Sequence, residues 1–109
     1  MKMVMAVVNE DRLSDIINAL LKNGISGITV SDTRGFGNIA LDRELDPSEL
    51  NKKVKLEIVV SSDSYKQQAI DIITENAHDL NHGSGKIFVY NVDEVYRIRT
   101  GERDADALR

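Results

Sequence analysis

The sequence predicts an α+β fold of the ferredoxin-like type, with element order βαββαβ and an antiparallel sheet that carries two helices on one face. Three observations lead to it. Short apolar or alternating runs mark four strands, two amphipathic stretches mark helices, and one long polar segment separates the second strand from the third. A chain of 109 residues is the size of one domain.

The first half of the chain predicts a strand, a helix and a second strand. The unbroken apolar run Met3–Val8 is typical of a strand covered on both faces. Asn9 is suited to cap the helix that follows, and Gly24 to end it. The apolar residues of this helix recur at the spacing of one helical face: Leu13, Ile16, Ile17, Leu20 and Leu21. The second strand is predicted from Ile25 to about Thr33.

A long loop and a regular strand follow. Residues 34–51 include two glycines and Pro47, the only proline of the chain, and are predicted to be a loop. A strand with one buried face is predicted over residues 54–60, where Val54, Leu56, Ile58 and Val60 alternate with Lys55, Glu57 and Val59. The helices occupy one face of the sheet, so the other face needs a cover. A second copy of the chain is the simplest one, and we expect a homo-oligomer.

The second half of the chain repeats the helix and strand pattern. Ser62 or Asp63 is suited to cap a helix that extends to Leu80. A glycine-containing turn then leads to a fourth strand over Lys86–Tyr90, and Val95–Arg99 is predicted to form a short terminal strand.

Composition excludes several classes of protein. The chain has 14 basic and 18 acidic residues, a net charge of −4, which argues against a general nucleic-acid binder. It has no cysteine, which excludes disulfides, thiolate nucleophiles and cysteine zinc sites. No apolar run approaches a bilayer span, and the first residues do not resemble a signal peptide. We therefore expect a cytoplasmic protein.

A glycine-rich turn and two arginines form a candidate anion site. Gly83 and Gly85 allow backbone N–H groups to approach an anion, and Lys86 adds a positive charge. Arg97 and Arg99 are two residues apart, so on a strand both would project from the same face. Three cations of this kind suit a polyphosphate. Solvated edge-strand charges are the second interpretation, and spacing alone leaves both open.

Other chemical motifs are absent or incomplete. Ile87 follows Gly85-Lys86 where a phosphate loop of the Walker type has serine or threonine. His78 and His82 are four residues apart, but Gly83 is expected to end the helix before both can face one metal ion. No spacing indicates a catalytic set. We therefore expect no metal site, no cofactor and no catalytic residues.

Four segments in order resemble the PII signal-transduction family: Arg34–Gly37, Lys53–Val60, Gly83–Val89 and Arg97–Glu102. The resemblance extends over residues 1–103, which predicts one domain there and a polar C-terminal tail over 104–109. It implies a homotrimer with ATP or ADP bound in clefts between subunits. It also implies a T-loop, at about residues 36–53, that contacts a regulated partner, such as a transporter component or an enzyme.

The resemblance also implies a set of nucleotide-binding residues. The phosphates would contact Gly35, Gly37, Gly83, Gly85, Lys86, Arg97 and Arg99. Val7 of one subunit would enclose the adenine and ribose together with residues of its neighbour, namely Gly27, Ile28, Thr29, Glu57, Ile58 and Val59. Three further residues complete the set: Phe36 and Ser84, which lie in matching segments, and Asn38, which directly follows the first of them.

The chain departs from the usual family pattern in its T-loop. Asn38 replaces a basic residue, and Ile39 replaces a glutamine that helps to hold Mg²⁺ and 2-oxoglutarate. Isoleucine has no oxygen to offer a hard cation. Lys53 retains the basic residue that resembles the family's 2-oxoglutarate partner. The loop is shorter than usual and has no tyrosine, which excludes uridylylation of a loop tyrosine.

These departures predict an energy sensor that binds ATP or ADP, regulates a partner through its T-loop and does not respond to 2-oxoglutarate. Two alternatives remain: a conventional nitrogen-regulatory PII that binds ATP and 2-oxoglutarate, and a weak ATPase in the same cleft. AMP or a cyclic nucleotide is a further candidate ligand. Whether Mg²⁺ accompanies the nucleotide is left open by the sequence.

Overall fold

The structure is a computed structural model that describes residues 1–36, 44–78 and 84–109. Its strands and α-helices are β1 (Lys2–Val8), α1 (Leu13–Lys22), β2 (Ile28–Gly35), β3 (Asn51–Val60), α2 (Asp63–Ala77) and β4 (Lys86–Asn91). Short 3₁₀ helices occupy Glu10–Arg12, Pro47–Glu49 and Asp104–Leu108.

The four strands form one antiparallel sheet in the order β2-β3-β1-β4. This order, with one helix after β1 and one after β3, confirms the predicted ferredoxin-like fold. Within the described parts of the chain, no helix is both long and apolar enough to span a bilayer.

One face of the sheet packs on the two helices and forms the core. Alternation along β1 and β3 places every second side chain on this face, and Ile16 and Leu20 of α1 meet them with no exposed surface. Helix α2 contributes Ala69, Ile72, Ile73 and Ala77. The fully buried strand residues include Val4, Ala6, Leu56 and Ile58.

The opposite face, called the open face below, is formed by the remaining strand residues. Cross-strand pairing places Thr29 beside Glu57, Met3 beside Val59 and Tyr90 beside Met3. In the single chain these side chains are half-buried or exposed; Phe88 and Tyr90 are each 47% exposed. The open face therefore has an exposed apolar surface, which is what the expected second copy would cover.

Several predicted boundaries are wrong by a few residues. β2 begins at Ile28 rather than Ile25, because Ile25 is buried against the end of α1, where its N–H donates to the Leu20 carbonyl at 2.9 Å. β3 begins at Asn51, so the predicted loop 36–53 overlaps the strand. The extension of α2 to Leu80 lies outside the described residues.

Asn9 does not cap α1 through its side chain. It precedes the 3₁₀ helix Glu10–Arg12, and its side chain makes no capping hydrogen bond. The Asn9 side-chain oxygen instead accepts a hydrogen bond from the Lys53 ammonium group. A residue predicted to begin a helix thus ties the end of β1 to the start of β3.

The predicted terminal strand over Val95–Arg99 does not form. The segment turns back at residues 98–100, and its only strand-like contact is an isolated bridge between Tyr96 and Arg103. The hairpin closes because the N–H of Arg97 donates to Glu102 O and that of Gly101 donates to Arg97 O, each at 2.8 Å. A tight hairpin, rather than an extended strand, therefore positions the arginines.

Candidate functional site

Five residues from the predicted nucleotide set line one open cavity of about 390 Å³: Gly27, Thr29, Glu57, Val59 and Arg97. We call it the Arg97 cavity. It lies on the open face, where Thr29 pairs with Glu57 and Val59 with Met3. Strand alternation and register thus bring residues that are distant in sequence to one place.

Ile28 and Ile58 take a different position from their neighbours in the predicted set. They are paired across β2 and β3 but point towards the helices, and Ile58 has no exposed surface. Only the backbone of these two residues is therefore suited to contact a ligand on the open face.

The Arg97 guanidinium is held by residues close to it in sequence. Its Nη1 donates to Glu102 Oε1 at 2.7 Å, and its Nη2 donates to the backbone oxygens of Ala107 at 3.2 Å and Arg109 at 2.7 Å. The Thr100 hydroxyl donates to the same Glu102 oxygen at 2.7 Å. The hydrogen bond from Thr100 and the charge of Arg97 lower the pKa of Glu102 from its ordinary value.

Val7, Gly85 and Lys86 form a second group of predicted residues, called the Lys86 group below. Val7 pairs with Lys86 across β1 and β4. Gly85 has φ +111°, and a Cβ built on it would lie 2.0 Å from the Val7 carbonyl oxygen. Only glycine therefore fits at this position without a backbone shift.

The Arg97 cavity and the Lys86 group are separated along the sheet. Met3 lines the cavity and Val7 belongs to the Lys86 group, and four residues of strand span about 13 Å. The expectation that three cations gather in one place therefore does not hold within one chain. Arg99 lies in the exposed turn of the hairpin rather than beside Arg97 on a strand.

The remaining predicted residues lie towards the T-loop or outside the described ranges. Gly35 ends β2 opposite Asn51, Phe36 is 53% exposed, and Ser84 is half-buried. Gly37, Asn38 and Gly83 are not among the described residues, and neither are Ile39 and His82. His78 directly follows α2 and is exposed. Among residues 1–36, 44–78 and 84–109, no group of three potential ligands is placed to hold a metal ion.

A second open cavity of about 310 Å³ lies between the start of β3 and the end of β2. Its lining is strongly charged: Glu10, Asp32, Thr33, Arg34, Lys52 and Lys53. Sequence reasoning had singled out only Lys53 as a ligand partner here. The signal that it missed is the register, which places Arg34 directly opposite Lys52.

The Arg97 cavity is also lined by residues that were not among the predicted site residues. Met3 and Ser26 contribute to its wall, and so do Ala107, Leu108 and Arg109 of the C-terminal tail. The tail contacts arise because the chain folds back after the Tyr96–Arg103 bridge.

The sequence of the chain matches the model of one known protein family over almost its whole length. The family described as Nitrogen regulatory protein P-II matches residues 1–102 of the chain. The chain belongs to the PII family. The resemblance read from the four sequence segments is thereby confirmed.

Curated PII relatives match over almost the whole chain. Nitrogen regulatory protein P-II of Pasteurella multocida is 42% identical over 99% of this chain and 100% of its own length. The protein of the same name from Azospirillum brasilense is 41% identical with the same coverage. Nitrogen regulatory protein P-II 1 of Methanothermobacter thermautotrophicus is 42% identical over 99% of this chain and 97% of its own.

PII membership settles the broad class of function. PII proteins are signalling regulators that act on partner proteins, so the chain is not an enzyme. β2 ends at Gly35 and β3 begins at Asn51, and most of the expected T-loop falls between these two strands. Within that segment Asp46 begins the 3₁₀ helix Pro47–Glu49, and hydrogen bonds from the Ser48 N–H and hydroxyl lower the pKa of Asp46.

Proposed function

We propose that this chain is a nitrogen-regulatory PII protein, a homotrimer that binds ATP or ADP between subunits and regulates a partner protein through its T-loop. The observation that carries the proposal is the Arg97 cavity, where five of the residues expected to bind nucleotide meet on the open face. The match of the whole chain to PII relatives supports the regulatory role.

The separation of the two residue groups supports a site shared between subunits. In one chain, Met3 of the Arg97 cavity and Val7 of the Lys86 group lie on the same face of β1, about 13 Å apart along the strand. A second copy packed on that face would bring the Lys86 group of one subunit to the cavity of the next. The apolar part of the open face, which includes Phe88 and Tyr90, favours such packing.

The chemistry of both groups suits an adenine nucleotide. The guanidinium of Arg97 and the ammonium of Lys86 would contact phosphate oxygens through charge-assisted hydrogen bonds. Glu57 is an acceptor on the cavity wall and is suited to the hydroxyls of a ribose. Val59 and Val7 offer apolar contact to a base. A multiply charged phosphate chain uses more of these groups than AMP does, so ATP and ADP are the preferred ligands.

The relatives favour a nitrogen-regulatory role over an energy sensor that has lost its response to 2-oxoglutarate. The curated relatives quoted above are named nitrogen regulatory proteins and match along the entire chain. Ile39, the residue that disfavours a response to 2-oxoglutarate, lies outside the described residues. The Lys53 ammonium group, the expected 2-oxoglutarate partner, lies at the edge of the second cavity and donates to Asn9.

An energy sensor without a 2-oxoglutarate response is the second candidate, and one observation favours it. Isoleucine at position 39 offers no oxygen to Mg²⁺, which would leave Lys53 as a single charge without the metal ion. A transporter component or an enzyme as the regulated partner, and the cytoplasm as the location, stay predictions.

Isothermal titration tests the proposal. ATP and ADP are titrated into the full chain with and without Mg²⁺ and 2-oxoglutarate, and light scattering measures the mass of the protein. The proposal predicts a trimer that binds ATP, with binding tightened when Mg²⁺ and 2-oxoglutarate are added together. Nucleotide binding that ignores both additions would support the energy sensor instead. A chain that binds neither nucleotide would refute both candidates.

A further inference from the structure

The C-terminal tail (residues 104–109) folds back onto the Arg97 cavity. Its 3₁₀ helix Asp104–Leu108 begins directly after the bridge between Tyr96 and Arg103, and the Asp104 N–H donates to the Val95 carbonyl at 2.8 Å. As a result, the last residues of the tail form part of the cavity wall opposite Glu57 and Val59.

The tail occupies the donors of Arg97 that a phosphate would need. Nη2 of a guanidinium has two hydrogens, and here it has two acceptors, the backbone oxygens of Ala107 and Arg109 at 3.2 and 2.7 Å. Nη1 already donates to Glu102. A phosphate that binds Arg97 through two parallel hydrogen bonds must therefore displace at least one contact that the protein makes with itself.

The tail is held weakly enough to be displaced. Ala107 and Leu108 are half-buried, Asp106 and Arg109 are exposed, and no tail residue belongs to the buried core. Asp106 and Arg109 pair with each other at 3.2 Å on the surface, where an ion pair contributes little. A segment with few buried apolar contacts opens at low free-energy cost.

We propose that the tail is an autoinhibitory segment that competes with the anionic end of a ligand for Arg97. This inference rests on the proposed function, because it concerns the same cavity. A phosphate chain offers Arg97 several charged oxygens, whereas the tail offers two backbone oxygens, so a nucleotide prevails over the tail. The apparent affinity for the ligand falls in proportion to the fraction of chains in which the tail leaves Arg97 accessible. Binding of the ligand releases the tail from Arg97.

A deletion in the tail, compared with a point variant, tests whether the tail competes with the ligand for Arg97 or acts through its side-chain charge. Removal of residues 107–109 takes away both backbone oxygens that contact Arg97. Arg109→Ala is the matched control, since it removes the side-chain charge but keeps both backbone oxygens. We expect the deletion to tighten binding of ATP and of inorganic tripolyphosphate about ten-fold, the scale of one net hydrogen bond. Arg109→Ala removes a positive charge from the cavity wall, so we expect it to weaken binding of these anions and not to tighten it.

A double-variant cycle tests whether the effect passes through Arg97. In an Arg97→Ala background the tail has no guanidinium to occupy, so the deletion should no longer change affinity. The inference would be overturned if the deletion still raised affinity in the Arg97→Ala background, or if it did not raise affinity when Arg97 is present. If tripolyphosphate binding tightens but ATP does not bind, the proposed function fails while the competition stands.

Hydrogen exchange provides a second measurement on the intact chain. The Asp104 and Asp106 N–H groups are hydrogen-bonded to Val95 O and Arg103 O. Saturating ATP should speed the exchange of residues 104–109, because the tail leaves the cavity when the ligand enters. Unchanged or slower exchange at saturation would contradict release of the tail, even if the deleted variant folds poorly.

Discussion

The two faces of the sheet are built from alternate residues of the same strands, yet they differ in what they contact. In β3, Leu56 and Ile58 face the helices with no exposed surface, whereas Lys55, Glu57 and Val59 lie on the open face. The first set is held by packing and the second is available to a ligand or a second copy. Neighbouring residues of β3 therefore have different roles. Substitutions on the helix-covered face should lower the free energy of unfolding, and substitutions on the open face should change the binding of a ligand or a second copy.

The largest expected effect comes from the helix-covered face. Leu56→Ala removes a fully buried side chain and should lower the free energy of unfolding by about 2–5 kcal/mol, because the core closes only partly around the cavity. Lys55→Ala, one residue away on the open face, loses only a 3.7 Å pair with Glu57 and should cost at most about 1 kcal/mol. Urea unfolding at a fixed protein concentration measures both, and equal losses would contradict the division.

Gly85→Ala should also destabilise the fold, although position 85 belongs to the predicted site. Its Cβ would lie 2.0 Å from the Val7 carbonyl oxygen, and φ is +111°, so the start of β4 must shift at a cost of about 1–3 kcal/mol. Gly35→Ala is the control, since no atom of the residues that the structure describes lies within 4 Å of a Cβ built there, and its φ is not in the left-handed region. Thermal unfolding compares the two. A fully stable Gly85→Ala would mean that this glycine serves a ligand alone.

Arg97→Ala should affect binding more than folding. Loss of one charge-assisted contact should weaken ATP affinity by about 1.5–3 kcal/mol, measured by titration. Arg103→Ala is the matched control, because Arg103 lies in the same hairpin and stacks on Tyr96 at 5.0 Å but does not line the cavity. If both variants lose affinity equally, disruption of the hairpin rather than the lost contact explains the effect.

The smallest effect is the pH dependence of the hairpin. Contacts with Thr100 and Arg97 lower the pKa of Glu102 below the ordinary 4.5. A carboxyl whose folded pKa is depressed adds stability above its unfolded pKa, and loses it as pH falls through the folded value. We therefore expect the contribution to be present above about pH 4.5 and to be lost progressively at lower pH, as the pH falls through the lower pKa of the folded protein. NMR titration of the Glu102 carboxyl checks this, and a pKa above 4.5 would contradict the contacts.

The sheet and the core were well predicted because the buried side chains of a strand or a helix recur at a regular spacing in the sequence. Alternation over Val54–Val60 and the helical spacing from Leu13 to Leu21 follow directly from which side chains are buried. Strand ends were less certain: Ile25 is apolar and buried, but it serves the end of α1 rather than β2.

The site was predictable only in part. The resemblance to the PII family pointed to Thr29, Glu57 and Arg97, which the structure brings to one cavity. The hairpin at Arg97 was missed because Arg-x-Arg spacing fits a strand as well as a turn. The contacts of Arg97 with Ala107 and Arg109 use backbone oxygens, which every residue has, so no side-chain pattern could reveal them.

The register of β2 and β3 has a mechanical consequence. β1 pairs with β3 only as far as Val54, but β2 continues to pair with β3 through Gly35 and Asn51. Three residue pairs, about 10 Å, thus extend past the sheet as a two-stranded arm. The distance to which the segment between β2 and β3 projects from the sheet therefore depends on this arm as well as on the length of that segment.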